Sequence, residues 1–264
     1  MDNADIKNSE LARLPLVSYK NAWEYIQTLE YSNTEGIFYL EQQLYNLLQK
    51  MPNDINVLTL LMHEQMMNDR GQRSRSIAYK IWESGGSLEP EIEKIYIDDL
   101  IGLGLTDMAG AALAPYISDI ENSIQIQKDI LLKYAIFTGN MSLLRRILSY
   151  LPNNGDYEIL QYWQDVNDEL QATSHIQAIM TKISENVIES MLGFTYKLFM
   201  DRSFPEIEFL FYVDNTVKNY DEIRKKMHLQ ISSYCAAHKI NDLINMSVVI
   251  LPIQRRRRQE LWLS

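Results

Sequence analysis

Val57-Leu-Thr-Leu-Leu-Met-His-Glu-Gln-Met-Met67 is followed by Gly71, by a second apolar series at Ile77, Ile81 and Trp82, and then by the break Gly85-Gly-Ser-Leu-Glu-Pro90. Apolar residues recurring at helical intervals on both sides of a glycine read as two antiparallel helices joined by a tight turn. The same unit returns along the chain. Gly36, Gly71, Gly104 and Gly139 stand 35, 33 and 35 residues apart, each between stretches of helical period. A near-constant spacing of that size is the mark of stacked helical hairpins.

Toward the N-terminus, Trp23, Ile26 and Leu29 predict a helix over residues 18–30. Thr34 is placed to cap its pair, whose apolar stripe reads Phe38, Leu44, Leu47 and Leu48 until Met51-Pro-Asn-Asp54 stops it. Toward the C-terminus, residues 92–103 and 106–117 flank Gly104, and Met108-Ala-Gly-Ala-Ala-Leu-Ala114 is small enough to let helices approach closely. Residues 124–137 and 143–151 flank Gly139, and a fifth pair is expected over 157–166 and 175–183. After an N-terminal tail of residues 1–17, five hairpins thus fill residues 18–185.

Units of this length, with a glycine at the inner turn and proline after the second helix (Pro52, Pro90, Pro152), resemble tetratricopeptide repeats over about residues 18–152. In that family a small residue follows the turn glycine by five positions. The corresponding residues here are Glu41, Ser76, Ala109 and Leu144, of which Ser76 and Ala109 comply. The resemblance implies an α-solenoid that binds protein on a concave face, and it nominates no residue for that role.

From residue 186 to 264 the pattern changes. Leu192-Gly-Phe-Thr-Tyr-Lys-Leu-Phe199 and Ile207-Glu-Phe-Leu-Phe-Tyr-Val213 are dense in aromatic and β-branched residues and predict strands. Asp201-Arg-Ser-Phe-Pro205 between them carries turn chemistry. Ile223, Met227, Ile231, Tyr234 and Cys235 mark one face of a helix, and Met246-Ser-Val-Val-Ile-Leu-Pro-Ile253 is a last strand. That strand is apolar on both faces and is expected to sit centrally or to be covered, with Pro252 ending at a sheet edge. The fold class is therefore mainly α: a tetratricopeptide-like helical-hairpin solenoid followed by a small α+β module in the order strand, strand, helix, strand.

Composition bounds the function. A formal net charge of -10 repels phosphate and argues against a nucleic-acid partner. The single cysteine, Cys235, cannot form an intramolecular disulfide and points to a reducing, cytoplasmic setting. Residues 1–10 lack the pattern of a secretion signal, and no apolar run approaches the roughly 20 residues of a transmembrane segment.

No candidate chemistry outweighs its structural explanation. His63, His175, His228 and His238 share no metal spacing, and no metal site or cofactor is expected. Cys235 reads as a small hydrophobe with no base nearby in sequence. Glu206, Glu208 and Asp214 flank the second strand without the lysine that a nuclease layout requires, and Asp214-Asn-Thr-Val-Lys-Asn219 has no glycine to cradle phosphate. Met62, Met66, Met67, Met108 and Met141 read as core ahead of an adaptable groove.

Arg255, Arg256, Arg257 and Arg258, with Leu261, Trp262 and Leu263 after them, form the most distinctive tail, a candidate docking element for a protein partner. The sequence thus points to a non-catalytic interaction or adaptor protein. Exposed edges of the C-terminal strands offer a route to homo-oligomers. Two alternatives make different demands. A small enzyme or ligand-binding module after residue 186 needs acids or histidines clustered at the strand ends. A nucleic-acid regulator needs the arginine run.

Overall fold

The computed structural model describes residues 16–29, 33–169, 172–201, 204–214, 219–239 and 246–252. It is mainly α with a C-terminal α+β part. The elements are α1 (Tyr19–Thr28), α2 (Thr34–Lys50), α3 (Ile55–Met67), α4 (Gly71–Ser84), α5 (Pro90–Gly102), α6 (Thr106–Ser118), α7 (Ile120–Thr138), α8 (Met141–Leu148), α9 (Gly155–Glu169), α10 (Thr173–Val187), β1 (Met191–Asp201), β2 (Phe204–Val213), α11 (Tyr220–Ala237) and β3 (Met246–Pro252). Backbone contacts divide the chain into two compact units, with the division inside α5: the described residues 16–96 form one and residues 97–252 the other.

The hairpin turns follow a stricter rule than the glycine spacing suggested. Asp69, Gly104 and Gly139 all lie in the left-handed region, with φ of 59°, 73° and 63°. In each case the next amide reaches back five residues: Arg70 N–H donates to the Gln65 carbonyl, Leu105 N–H to Leu100 and Asn140 N–H to Ala135. This is the Schellman closure, which satisfies carbonyls that the helix end leaves open. Each following helix, α4, α6 or α8, begins two residues later. The turn residues at 69, 104 and 139 are therefore 35 apart on both intervals.

Gly71 is not a turn residue but the first residue of α4. Aspartate tolerates the left-handed conformation better than most side chains do. Gly36 likewise lies inside a helix. Asn33 rather than Thr34 caps α2, its side chain accepting the Gly36 N–H, and a Cβ on Gly36 would stand 2.5 Å from Leu29 Cδ1. With Asp69 as the reference, the positions five residues on are Ser74, Ala109 and Leu144, and all three are fully buried. Ser74 Oγ donates to the Met62 carbonyl on the neighbouring helix (3.1 Å).

In the first unit α3 is the central element, packing against α1, α2 and α4. Every residue from 57 to 67 is buried, as expected for a helix apolar on all sides. Around it Tyr25, Ile26, Leu40, Leu44, Leu47, Leu60 and Leu61 form the core. Phe38 is not part of the buried stripe of α2, which runs through Ile37, Leu40, Leu44 and Leu47; Phe38 is 58% exposed. Trp82, expected to line α4, is 45% exposed, and Ala78 and Ile81 are buried in its stead.

In the second unit β1 and β2 pair antiparallel and β2 and β3 pair parallel, in the order β1-β2-β3. The parallel pairing follows from α11, which carries the chain between β2 and β3. Among the described residues β2 is central and β3 is an edge strand, so of the two expectations for β3 the central place is corrected, and the sheet edge indicated by Pro252 is where it lies. One face of β2 sets Ile207, Phe209, Phe211 and Val213, all at 0% exposure, among α7, α9 and the flanking strands. Phe137 of α7 meets Phe194 of β1 edge-on at 4.8 Å, and Phe194 lies 5.1 Å from Phe211. Such aromatic contacts add to the stabilisation from buried area. Met62, Met66, Met67, Met108 and Met141 are all buried, the core role expected of them.

Candidate functional site

The largest apolar side chains left in water by the first unit belong to two helices, α2 and α4, that pack on α3. Gly71, Ser74, Ala78 and Ile81 of α4 turn inward, and Arg75, Tyr79 and Trp82, spaced i, i+4 and i+7, run along one flank of that buried face, Arg75 partly buried. Tyr79 is 49% exposed and Trp82 45%. The α4 helix also carries Arg73 and Lys80 in exposed positions. Along α2 the outward residues are Phe38, Gln42, Tyr45 and Gln49. Isolated exposed hydrophobes are ordinary, but aromatic residues repeated along one helix side mark contact surfaces.

Beneath these helices lies a buried polar network. Glu41 of α2 occupies the position where the repeat resemblance calls for a small residue, and a partner explains it. Arg70 Nη1 donates to Glu41 Oε1 at 2.5 Å, and Gln65 Nε2 donates to the same oxygen at 3.1 Å. Gln65 Nε2 also donates to Glu64 Oε2, and Asn68 Nδ2 donates to Glu64 Oε1. Glu64 is fully buried. Burial above all, then the Glu41 carboxylate, pushes its carboxyl up to about 7, against the lowering influence of Gln65, Arg70 and Asn68. The Arg70 guanidinium pairs with Glu41 and acts on the buried Glu64 only through its charge. The network ties α2, α3 and the start of α4 together; it is structural in form.

In the second unit the fold joins residues far apart in sequence. His175 of α10 places Nδ1 3.0 Å from the Tyr234 hydroxyl of α11. His238 Nδ1–H donates to the Tyr234 carbonyl at 2.9 Å, and the two imidazole centroids are 5.3 Å apart. His228 is exposed elsewhere on α11; the histidine that meets His238 is His175, 63 residues away. Among the described residues no group of three or more His, Cys, Asp or Glu side chains is arranged to hold a metal ion.

Glu206 and Glu208 lie on the sheet face opposite Phe209 and Phe211, in register with Phe199 and Lys197 of β1. Both are partly solvated, as is Asp214 at the end of β2. Cys235 is buried, and burial pushes its thiol up, away from the reactive thiolate. Arg255, Arg256, Arg257, Arg258 and Trp262, the docking residues expected from sequence, lie outside the described residues, as does the loop 215–218. Among the described residues no helix is long and apolar enough to cross a membrane.

The chain was compared with family models, with curated proteins and with solved structures, and none of the three gave a match.

Proposed function

We propose that this chain is a non-catalytic interaction protein, built of helical hairpins related in architecture to tetratricopeptide repeats, that binds a protein partner through the outer side of α4. The observation that carries this reading is the pair Tyr79 and Trp82 on one flank of α4, each close to half exposed. Arginine, tyrosine and tryptophan are the residue types that dominate binding energy at protein interfaces. The 35-residue recurrence of the Schellman turns at Asp69, Gly104 and Gly139 supports the hairpin-repeat architecture.

The binding surface differs from the concave groove of the resemblance. A groove needs an inner helix with one side free, whereas residues 57–67 of α3 are buried all round. A reducing, cytoplasmic setting is part of the proposal and rests on the single buried cysteine.

The test is affinity capture from nuclease-treated native lysate with the full chain and with its Tyr79→Ser/Trp82→Ser variant. Circular dichroism would first establish that the variant is folded. A stoichiometric protein held by the natural chain and lost from the variant supports the reading. The same proteins with both chains, or none with either, sinks it.

A further inference from the structure

The outer side of α2 has a different character from that of α4, and its chemistry is self-complementary. Phe38, Gln42, Tyr45 and Gln49 fall within an arc of about 60° at 100° per residue, forming an uncharged seam along the helix. Phe38 is 58% exposed and Tyr45 43%. Glu35 at the N-terminal end and Lys50 at the C-terminal end are also exposed, and both lie on the same flank of that seam. The remaining acid of the helix, Glu41, is buried and bound to Arg70.

We infer that α2 pairs antiparallel with α2 of a second copy of this chain across a two-fold axis near Gln42. A two-fold perpendicular to two antiparallel helices sets like flanks beside one another. Phe38 then faces Tyr45 of the second copy, Tyr45 faces its Phe38, and the two Gln42 side chains meet beside the axis. Lys50 of each copy is offset from Glu35 of the other by about two residues' rise, roughly 3 Å along the axis, on the same flank, so a lysine can span the gap between the helices. Both ends therefore gain an opposite-charge pair while the seam between them carries no like charges. A parallel pairing about a two-fold along the helices would put the two Glu35 at one level and the two Lys50 at another, on opposite flanks of the seam, and would form neither ion pair. The acidic surplus of the chain is no obstacle, because the seam itself is neutral.

The size of the contact sets its strength. A helix of 17 residues is about 25 Å long, and one helix pair belongs with interfaces under about 1,200 Å², which are weak or transient. The dimer is therefore expected in the range of tens to hundreds of micromolar. It uses none of the α4 row, so the two surfaces stand or fall separately.

Sedimentation equilibrium of the full chain over a concentration series up to about 500 µM, a ceiling chosen for a contact of this size, tests the pairing. The expected result is a monomer–dimer equilibrium that Phe38→Ser/Tyr45→Ser removes. Glu35→Lys and Lys50→Glu should each weaken it by about tenfold, since each reversal spoils two ion pairs, and the double variant E35K/K50E should restore it. Oxidation supplies a second readout. Gln42→Cys, next to the axis, should yield a disulfide-linked dimer, and Gln49→Cys, far from its own copy, should not. A strictly monomeric chain at the highest concentration overturns the inference. So does a dimer indifferent to the charge swap, or one in which Gln49→Cys cross-links as readily as Gln42→Cys.

Discussion

The two units differ in the side chains that fill their cores. The first, residues 16–96, buries carboxylates and leaves Phe38, Tyr45, Tyr79 and Trp82 in water. The second, residues 97–252, builds its core on Phe194, Phe209, Phe211 and Trp163, although it too buries a carboxylate, Asp99, and leaves Tyr150, Tyr162 and Phe199 partly in water. Helices alone can seal a core with leucine and methionine, as α3 shows, and the aromatic side chains of such a unit become free for contact. A three-stranded sheet offers a broad, flat face, and large flat rings cover it with few residues. The difference teaches that the helical core rests mainly on aliphatic side chains with Tyr25 among them, so the exposed rings of Phe38, Tyr45, Tyr79 and Trp82 are not what closes it.

The comparison breaks first, if it is wrong, at Phe211. Its ring is fully buried between β1 and α7, so Phe211→Ala should cost about 3–5 kcal/mol in urea denaturation. A loss below about 1 kcal/mol would mean that the aromatic cluster is not the core of its unit.

Next in size is the buried acid of the first unit. The Glu64 carboxyl, held up at about 7, lies above its ordinary value of 4.5, so the folded state keeps a proton that the unfolded state releases. Its contribution to stability is therefore greatest below about pH 4.5 and falls as the pH rises through about 7, by on the order of 3 kcal/mol. Glu64→Gln cannot ionise and should flatten that slope, leaving the variant more stable than the natural chain at pH 8. Parallel pH profiles for the two proteins would show that Glu64 reaches water.

How much of this was legible in the sequence depends on the range over which each signal acts. Periodicity and breakers act locally, and they place the helices, the two-strand hairpin, α11 and β3 within a few residues of their positions. Glycine is the stronger turn signal and points to Gly71, whereas the backbone turns two residues earlier, at Asp69. Phe38 and Trp82 were read as inward because hydrophobic periodicity cannot tell a core aromatic from a displayed one. Glu41 looked like a misfit at a small-residue position, since its partners, Gln65 and Arg70, lie 24 and 29 residues on. The meeting of His175 with His238 leaves no trace in local spacing.

A third effect is smaller and compares two glycines. Gly139 (φ +63°) ends α7, and a Cβ there would stand 2.7 Å from the Gln177 backbone of α10; Gly85 (φ +61°) ends α4 with nothing within 4 Å. Gly85→Ala should cost about 1 kcal/mol, the conformational penalty alone. Gly139→Ala should cost about 2 kcal/mol or more, because a steric clash with backbone is added to the same strain. Equal losses would show that α10 gives way at that contact, making the second unit softer than its aromatic core implies.

The smallest effect tests the displayed aromatic residues themselves. Tyr79 and Trp82 keep close to half of their surface in water, and α4 is anchored by Ser74, Ala78 and Ile81 on its other side. Tyr79→Ser and Trp82→Ser should each cost about 1 kcal/mol, since about half of each ring is covered by the protein. A Trp82→Ser loss approaching that of Phe211→Ala would make Trp82 part of the core of its unit. A small stability loss accompanied by complete loss of a bound partner would separate folding from binding at α4, because the same side chain would then carry more affinity than structure.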